Sequence, residues 1–188
     1  RFDDKTTRSE KLKSDKLAPI REIFQIFVNN CQNSCSISEY ATVEEMLAGF
    51  RGRCSFRQYI LSKPDKYGIK LFALVDAQTF FTNKIEVYVG TQPDGPYKVS
   101  NSPGDVVERV CSGILGTGRN ITLDNWFTSY DLSKRMLRHK ITVVGTLRKN
   151  KRQIPPEFLN LRGREEKTSF FGFEDNCTLV YYIPKKKN

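Results

Sequence analysis

Hydrophobic and polar positions change period several times along these 188 residues, and each change marks an element. Residues 1–15 are charged, carry no periodicity and read as an arm. Pro19 then opens a helix in which Ile20, Ile23, Phe24, Phe27 and Val28 recur at helical spacing, predicting a face packed into the core. "TVEEMLA" (42–48) reads as a short extended stretch, "GIKLFALVD" (68–76) as a buried strand and "NKIEVYVG" (83–90) as its alternating neighbour. Ser102, Pro103 and Asp105 form a helix start, with Val106, Val107, Val110 and Ile114 as its apolar face. A strand over 119–124 follows, then a helix capped by Thr128 with Asp131, then a strand over 140–147 rich in β-branched residues. Two apolar runs around Glu174, Asp175 and Asn176 read as a hairpin.

The order strand, strand, strand, helix, strand, helix, strand predicts an α/β fold, a mixed sheet flanked by helices. That topology matches an RNase H-like core. The longest apolar runs, such as "LFALV" at 71–75, are too short to cross a bilayer, so no membrane partner is expected. The chain starts at Arg1 rather than Met and shows no secretory pattern, which reads as a trimmed chain or a fragment.

Charge sharpens this picture. The formal net charge is +10, and from Lys134 onward 14 Lys or Arg face 5 Asp or Glu. A basic C-terminal third suits a polyanion, of which nucleic acid is the commonest, although lysines also serve simply to solvate a surface. Five cysteines (Cys31, Cys35, Cys54, Cys111, Cys177) and the single His139 do not make a tetrahedral set, so no zinc is expected. An odd cysteine count without a signal peptide fits reduced thiols in the cytosol or nucleus. His139 reads as a helix-end residue facing the dipole.

The candidate chemistry lies in the acids. In "NITLD", Ile121 and Leu123 face one side while Asn120, Thr122 and Asp124 face the other, so Asp124 stands at the mouth of a strand. Phosphodiester transfer uses two magnesium ions about 3.5–4 Å apart, held by carboxylates that converge from distant strands. The first strand offers Glu44 and Glu45, whose side chains point to opposite faces, so only one of them can approach Asp124. Asp76, ending the next strand, is a further candidate. Each of these acids also has a plain reading as a solvated surface group.

In order along the chain, "AGFRGRCSFRQYILSKPDKYGIKLFALVD", "TGRNITLDNWFTSYDLSKRML", "KITVVGTLRKNKRQIPPEF" and "SFFGFEDNCTLVYYIPKK" resemble the piggyBac family of transposases and their domesticated relatives. The resemblance implies an RNase H-like catalytic domain carrying an inserted domain. It also implies three catalytic aspartates, magnesium (with manganese as a substitute), and cut-and-paste chemistry on DNA through hairpinned transposon ends at TTAA targets. Asp124 in "LDNWFTS" matches the second catalytic aspartate, and Glu44 in "VEEMLAGF" stands where the family carries the first. The resemblance therefore implies Glu44 and Asp124 as the catalytic and metal-holding residues.

Glutamate moves its carboxylate by roughly one bond length, about 1.5 Å, and a misplacement near 1 Å costs on the order of a hundredfold in rate. The third catalytic aspartate of the family belongs beyond "YYIPKKKN", as does its cysteine-rich zinc module. Residues 1–40 are expected to lead into the core, 41–150 to form it, and 151–188 to begin the inserted domain, leaving the RNase H-like unit incomplete. The expectation is a transposase-derived chain, nuclear, inactive in strand transfer on these residues alone, with a domesticated DNA-binding protein as the alternative. A homodimer is a further expectation.

Basic and aromatic residues complete the set. Arg51, Arg53 and Arg57 are candidates for gripping phosphate, or for bracing the carboxylates through an ion pair. Arg148, Lys149, Lys151 and Arg152 follow a strand and are candidates for contact with the DNA backbone. Trp126, the only tryptophan, either stacks on a splayed base or packs the junction of helix and sheet.

Overall fold

In a computed structural model, which describes residues 3–160 and 163–185, the chain divides into a first unit of residues 1–147 and a second of 148–188. The first unit runs α1 (Lys5–Leu12), α2 (Arg21–Ser34), β1 (Tyr40–Gly49), β2 (Gln58–Tyr59), β3 (Tyr67–Asp76), β4 (Thr82–Val87) and α3 (Pro103–Val110). A 3-10 turn (Ser112–Ile114), β5 (Asn120–Leu123), α4 (Tyr130–Arg138) and β6 (Thr142–Gly145) complete it.

The sheet is organised around β1. Antiparallel pairing joins β1 to β3, whose far edge carries β2 and β4, and parallel pairing joins β1 to β5 and β5 to β6. This is a mixed sheet flanked by helices, the RNase H-like arrangement that the order of elements predicts. Alternation along the strands decides which face is buried. Ala41 and Val43 of β1, Ile121 and Leu123 of β5, and Phe72 and Leu74 of β3 join one core with Val106, Val107 and Val110 of α3 and Leu132 and Met136 of α4. Each fully buried Leu or Ile side chain contributes about 1.5–3 kcal/mol relative to exposure.

Local chemistry sets the helix starts. The Ser102 hydroxyl accepts from the Asp105 amide at 3.4 Å, with Pro103 in the first turn, as the sequence predicts. The cap of α4 is Ser129, whose hydroxyl accepts from the Leu132 amide at 3.2 Å. Thr128, the expected cap, is buried and donates instead to the Asp124 carbonyl at 2.6 Å. Two expectations at the N-terminus also change. The supposed arm contains α1, capped by the Asp4 side chain, and α2 begins at Arg21 rather than at Pro19. The stripe of α2 is not core: α2 packs against β4, and Val28 is buried, but Ile20, Ile23 and Phe27 are exposed.

The second unit holds α5 (Pro156–Leu159) and the hairpin β7 (Ser169–Glu174) and β8 (Cys177–Tyr182), turning through Asp175. Phe158 is buried beside Phe170, with ring centroids 4.6 Å apart. Gly172 admits this packing, since a Cβ there would meet the Phe158 ring at 2.7 Å. Among the described residues no helix is long and apolar enough to cross a membrane.

Candidate active site

Register brings the two acids together. The parallel ladder runs Tyr40–Asn120, Ala41–Ile121, Thr42–Thr122 and Val43–Leu123, so the next residues of the two strands, Glu44 and Asp124, follow side by side. Val43 and Leu123 point into the core, and alternation turns both acids toward the opposite, open face, where both are exposed. Partial burial, and then the neighbouring Asp124 charge, raise the pKa of Glu44 above the usual carboxylate range, with Lys63 acting the other way.

Asp124 is held from behind by its own turn. Its Oδ1 accepts from the Trp126 amide at 2.8 Å and from the Phe127 amide at 3.2 Å. The Thr128 amide and hydroxyl both donate to the Asp124 carbonyl, at 3.0 and 2.6 Å. Two amides of its own turn fix the Oδ1 side of the carboxylate, and the residue as a whole is exposed. An aspartate at a strand end followed by residues able to form such a turn thus gives a carboxylate of defined direction.

Glu45 points the other way, as the pleat requires. It pairs in register with Phe72, a core residue, and its Oε2 lies 2.6 Å from Lys70 Nζ. That ammonium is 4.7 Å from the Trp126 ring, 5.0 Å from Phe72 and 5.2 Å from Tyr88. Trp126 lies nearly parallel to Phe72 at 5.6 Å and edge-on to Phe127 at 4.7 Å. Its indole is thus half-buried in an aromatic cluster at the junction of strand and turn.

The remaining candidates lie apart from the pair or serve its surroundings. Asp76 is buried at the other end of β3, opposite Ala41, and accepts from the Ser38 amide and from the Thr79 amide and hydroxyl. Those bonds, Ser38's first and then Thr79's, hold its carboxyl well below the usual range, so it works as a turn brace. Arg57 donates to the carbonyls of Arg51 and Gly52 at 3.0 and 3.2 Å and lies 5.3 Å from the Tyr67 ring, ordering the loop between β1 and β2. Arg51 and Arg53 are exposed on that loop, Arg51 lining a hollow with Gly49, Phe50, Asp65 and Tyr67.

Arg148, Lys149 and Arg152 are exposed in the second unit, Lys151 is half-buried there, and the Lys149 ammonium lies 5.6 Å from the Tyr181 ring. The five cysteines are free thiols, and burial pushes Cys111 up to about 12. A hollow of about 630 Å³ opens at the far ends of β1 and β5, remote from the acids, and there Arg119 binds the Ile37 and Ser38 carbonyls.

Two residues near the pair escaped sequence reasoning. Lys63 donates to the Glu45 carbonyl at 2.9 Å and brings its charge to Glu44, although nothing in "LSKPDK" marks it. Lys70 had a signal: a lysine inside the apolar strand "GIKLFALV" needs a buried partner.

The pair suits a hard divalent cation, since magnesium takes oxygen ligands and is held by one or two carboxylates, with water completing the shell. The charge of Asp124 beside Glu44, one cause of the raised proton affinity of Glu44, is also a repulsion that a cation relieves. Among the described residues no group of three or more His, Cys, Asp or Glu converges on one point, so these two side chains fit one ion rather than a pair.

The family described as Transposase IS4 matches residues 1–187. A piggyBac transposase, solved as a synaptic complex with hairpin DNA, superposes with a TM-score of 0.91 at 40% sequence identity. The match covers 98% of this chain and 39% of that one, so the chain spans well under half the length of that transposase.

Proposed function

The chain belongs to the piggyBac-type family of transposases, and from that premise we propose that Glu44 and Asp124 form the metal-holding part of a DNA-processing site, served by a basic surface that grips the DNA backbone. The single observation that carries the reading is the ladder between β1 and β5, which sets the two acids side by side on the open face. DNA as partner is supported by the solved relative, a transposase bound to hairpin DNA. Transposon ends, TTAA targets, pairing of two copies and residence in the nucleus go with this reading as family properties.

Each residue has a stated task. Asp124 supplies a carboxylate whose Oδ1 is fixed by two amides. Glu44 supplies the second carboxylate from β1. Magnesium, or manganese in its place, supplies Lewis-acid stabilisation of phosphoryl oxygens and a more acidic water when bound there. Arg51 and Arg53 offer free guanidinium groups to phosphate, and Arg57 keeps their loop in shape. Arg148, Lys149, Lys151 and Arg152 of the second unit hold the DNA backbone without reading sequence. Trp126 acts mainly as packing that steadies the Asp124 turn, with base stacking secondary.

A second reading, DNA binding without cleavage, draws on Glu44 itself. It is one methylene longer than the family's aspartate, and its raised proton affinity competes with metal. The test is nicking of duplex transposon-end DNA in Mg2+ or Mn2+, with Asp124→Ala beside the wild type. Metal-dependent nicking that disappears in Asp124→Ala supports a working pair. Intact salt-sensitive binding without nicking supports the second reading, and nicking that persists in Asp124→Ala refutes the pair.

A further inference from the structure

We propose that Glu45, Lys70 and Trp126 form a brace on the buried side of the sheet that fixes the spacing of Glu44 and Asp124 on the open side. The proposal rests on the reading of that pair as a metal site. Its parts are positioning residues: none of them reaches the open face.

The connection runs through short, directional contacts. Glu45 is the residue after Glu44 on β1, so whatever fixes the Glu45 side chain also fixes the peptide that carries Glu44. Its carboxylate meets Lys70 Nζ at 2.6 Å, and both side chains are largely shielded, at 20% and 14% exposure. Lys70 stands over the Trp126 ring at 4.7 Å, a distance at which an ammonium is attracted to an aromatic face. The Trp126 amide donates to Asp124 Oδ1 at 2.8 Å. One path therefore leads from the backbone of the first acid to the side chain of the second, through β1, β3 and the turn after β5.

Charge and packing explain why the middle member is a lysine. A largely shielded carboxylate such as Glu45 needs a cation, and an arene cluster needs something that draws it together. Lys70 meets both needs, its ammonium pairing with the carboxylate and lying within 5.2 Å of three ring centroids. Phe72 completes the hold, stacked on the other partner of the path at 5.6 Å. Outer partners of metal-holding groups act in this way generally, and their loss weakens metal binding about 10–100-fold.

Trp126 is the only tryptophan, so its emission reports on the brace without a label. The experiment is a Mn2+ titration followed by electron paramagnetic resonance of the free ion, with tryptophan emission and a thermal melt on the same samples. The proteins are wild type, Glu45→Gln, Lys70→Met, Lys70→Arg and Asp124→Ala. We expect the wild type to bind Mn2+ and Asp124→Ala to lose it. Glu45→Gln and Lys70→Met should weaken binding about tenfold or more with a shift in Trp126 emission. Lys70→Arg, which keeps a cation over the rings, should stay within about threefold of wild type.

The brace is refuted if Glu45→Gln, still folded by its melt, shifts the emission yet binds Mn2+ as tightly as wild type. Should Lys70→Met not fold, Glu45→Gln and Lys70→Arg decide the matter by themselves. Failure of the underlying reading looks different. There the wild type binds no Mn2+, or Asp124→Ala binds it equally well, and the brace falls with the pair it serves.

Discussion

Glu44 sits where its own charge works against the fold. Burial and the adjacent Asp124 raise its pKa, so its ionised form is less favourable in the folded than in the unfolded chain. For a group raised in this way, the stabilising contribution is fully present below the unfolded pKa, about 4.3 for glutamate, and is lost as pH rises through the folded value. Glu44→Gln removes that penalty while keeping size and polarity. Its melting temperature at pH 7 should rise, by no more than about 1–2 °C, because Glu44 is exposed and solvent screens the repulsion. The gain should vanish near pH 4, and Mn2+ binding should weaken; scanning calorimetry at the two pH values, with a metal titration, checks both. A Tm that falls at pH 7 would mean that Glu44 is held by favourable contacts instead. The choice between Glu44 and Glu45 was legible in the sequence only up to the alternation of a strand. That one must face away follows from the pleat, but which one depends on the parallel register of β1 with β5, which joins residues about 80 positions apart. Asp76 carried a similar ambiguity, since a strand-end acid reads alike whether it faces a metal or three hydrogen-bond donors.

Elements with strong local signals were readable, and those decided by partners were not. The α3 start carried serine, proline and aspartate at fixed offsets, all contained within one turn, and it forms as expected. At α4 the pattern offered two adjacent hydroxyls, and the structure caps with Ser129 because Thr128 is drawn into the turn that holds Asp124. The strands β5 and β6 fell within the expected stretches and β1 and β3 run past theirs, β1 at both ends, whereas the two-residue β2 has no periodicity to read and forms because β3 offers an edge. The stripe of α2 predicts an apolar face correctly, yet whether that face is covered is a property of its neighbours. Capping makes a prediction at this scale. Ser129→Ala should cost about 1 kcal/mol, or about 2–4 °C in Tm, while Thr128→Ala should cost at least as much and also disturb the Asp124 turn. Thermal melts of the two variants with Mn2+ titrations separate them, since only the Thr128 change should weaken metal binding. Equal metal affinity in both would show that the Thr128 bonds do not hold the acid in place.

Across the whole molecule, charge is distributed unlike stability. The first unit carries the sheet, its core and the acid pair, whereas residues 148–188 hold ten Lys or Arg against five Asp or Glu on a small hairpin unit with one buried aromatic. A unit so rich in exposed cations gains little folding energy from them, because exposed charges contribute little to stability, and it gains affinity for a polyanion instead. Counterion release turns this into a number. Each phosphate neutralised on duplex DNA adds about 0.9 to the slope of log affinity against log salt. Replacing Arg148, Lys149, Lys151 and Arg152 together by alanine should therefore lower that slope by up to about 3–4 if all four meet phosphates, with little change in sequence preference. The Tm of the first unit should hardly move, as none of the four belongs to its core. Fluorescence anisotropy with two unrelated duplexes over 50–200 mM salt measures the slope directly. An unchanged slope would assign these four residues to solvation and move the DNA-binding surface to the first unit, where Arg51 and Arg53 stand exposed on the loop after β1.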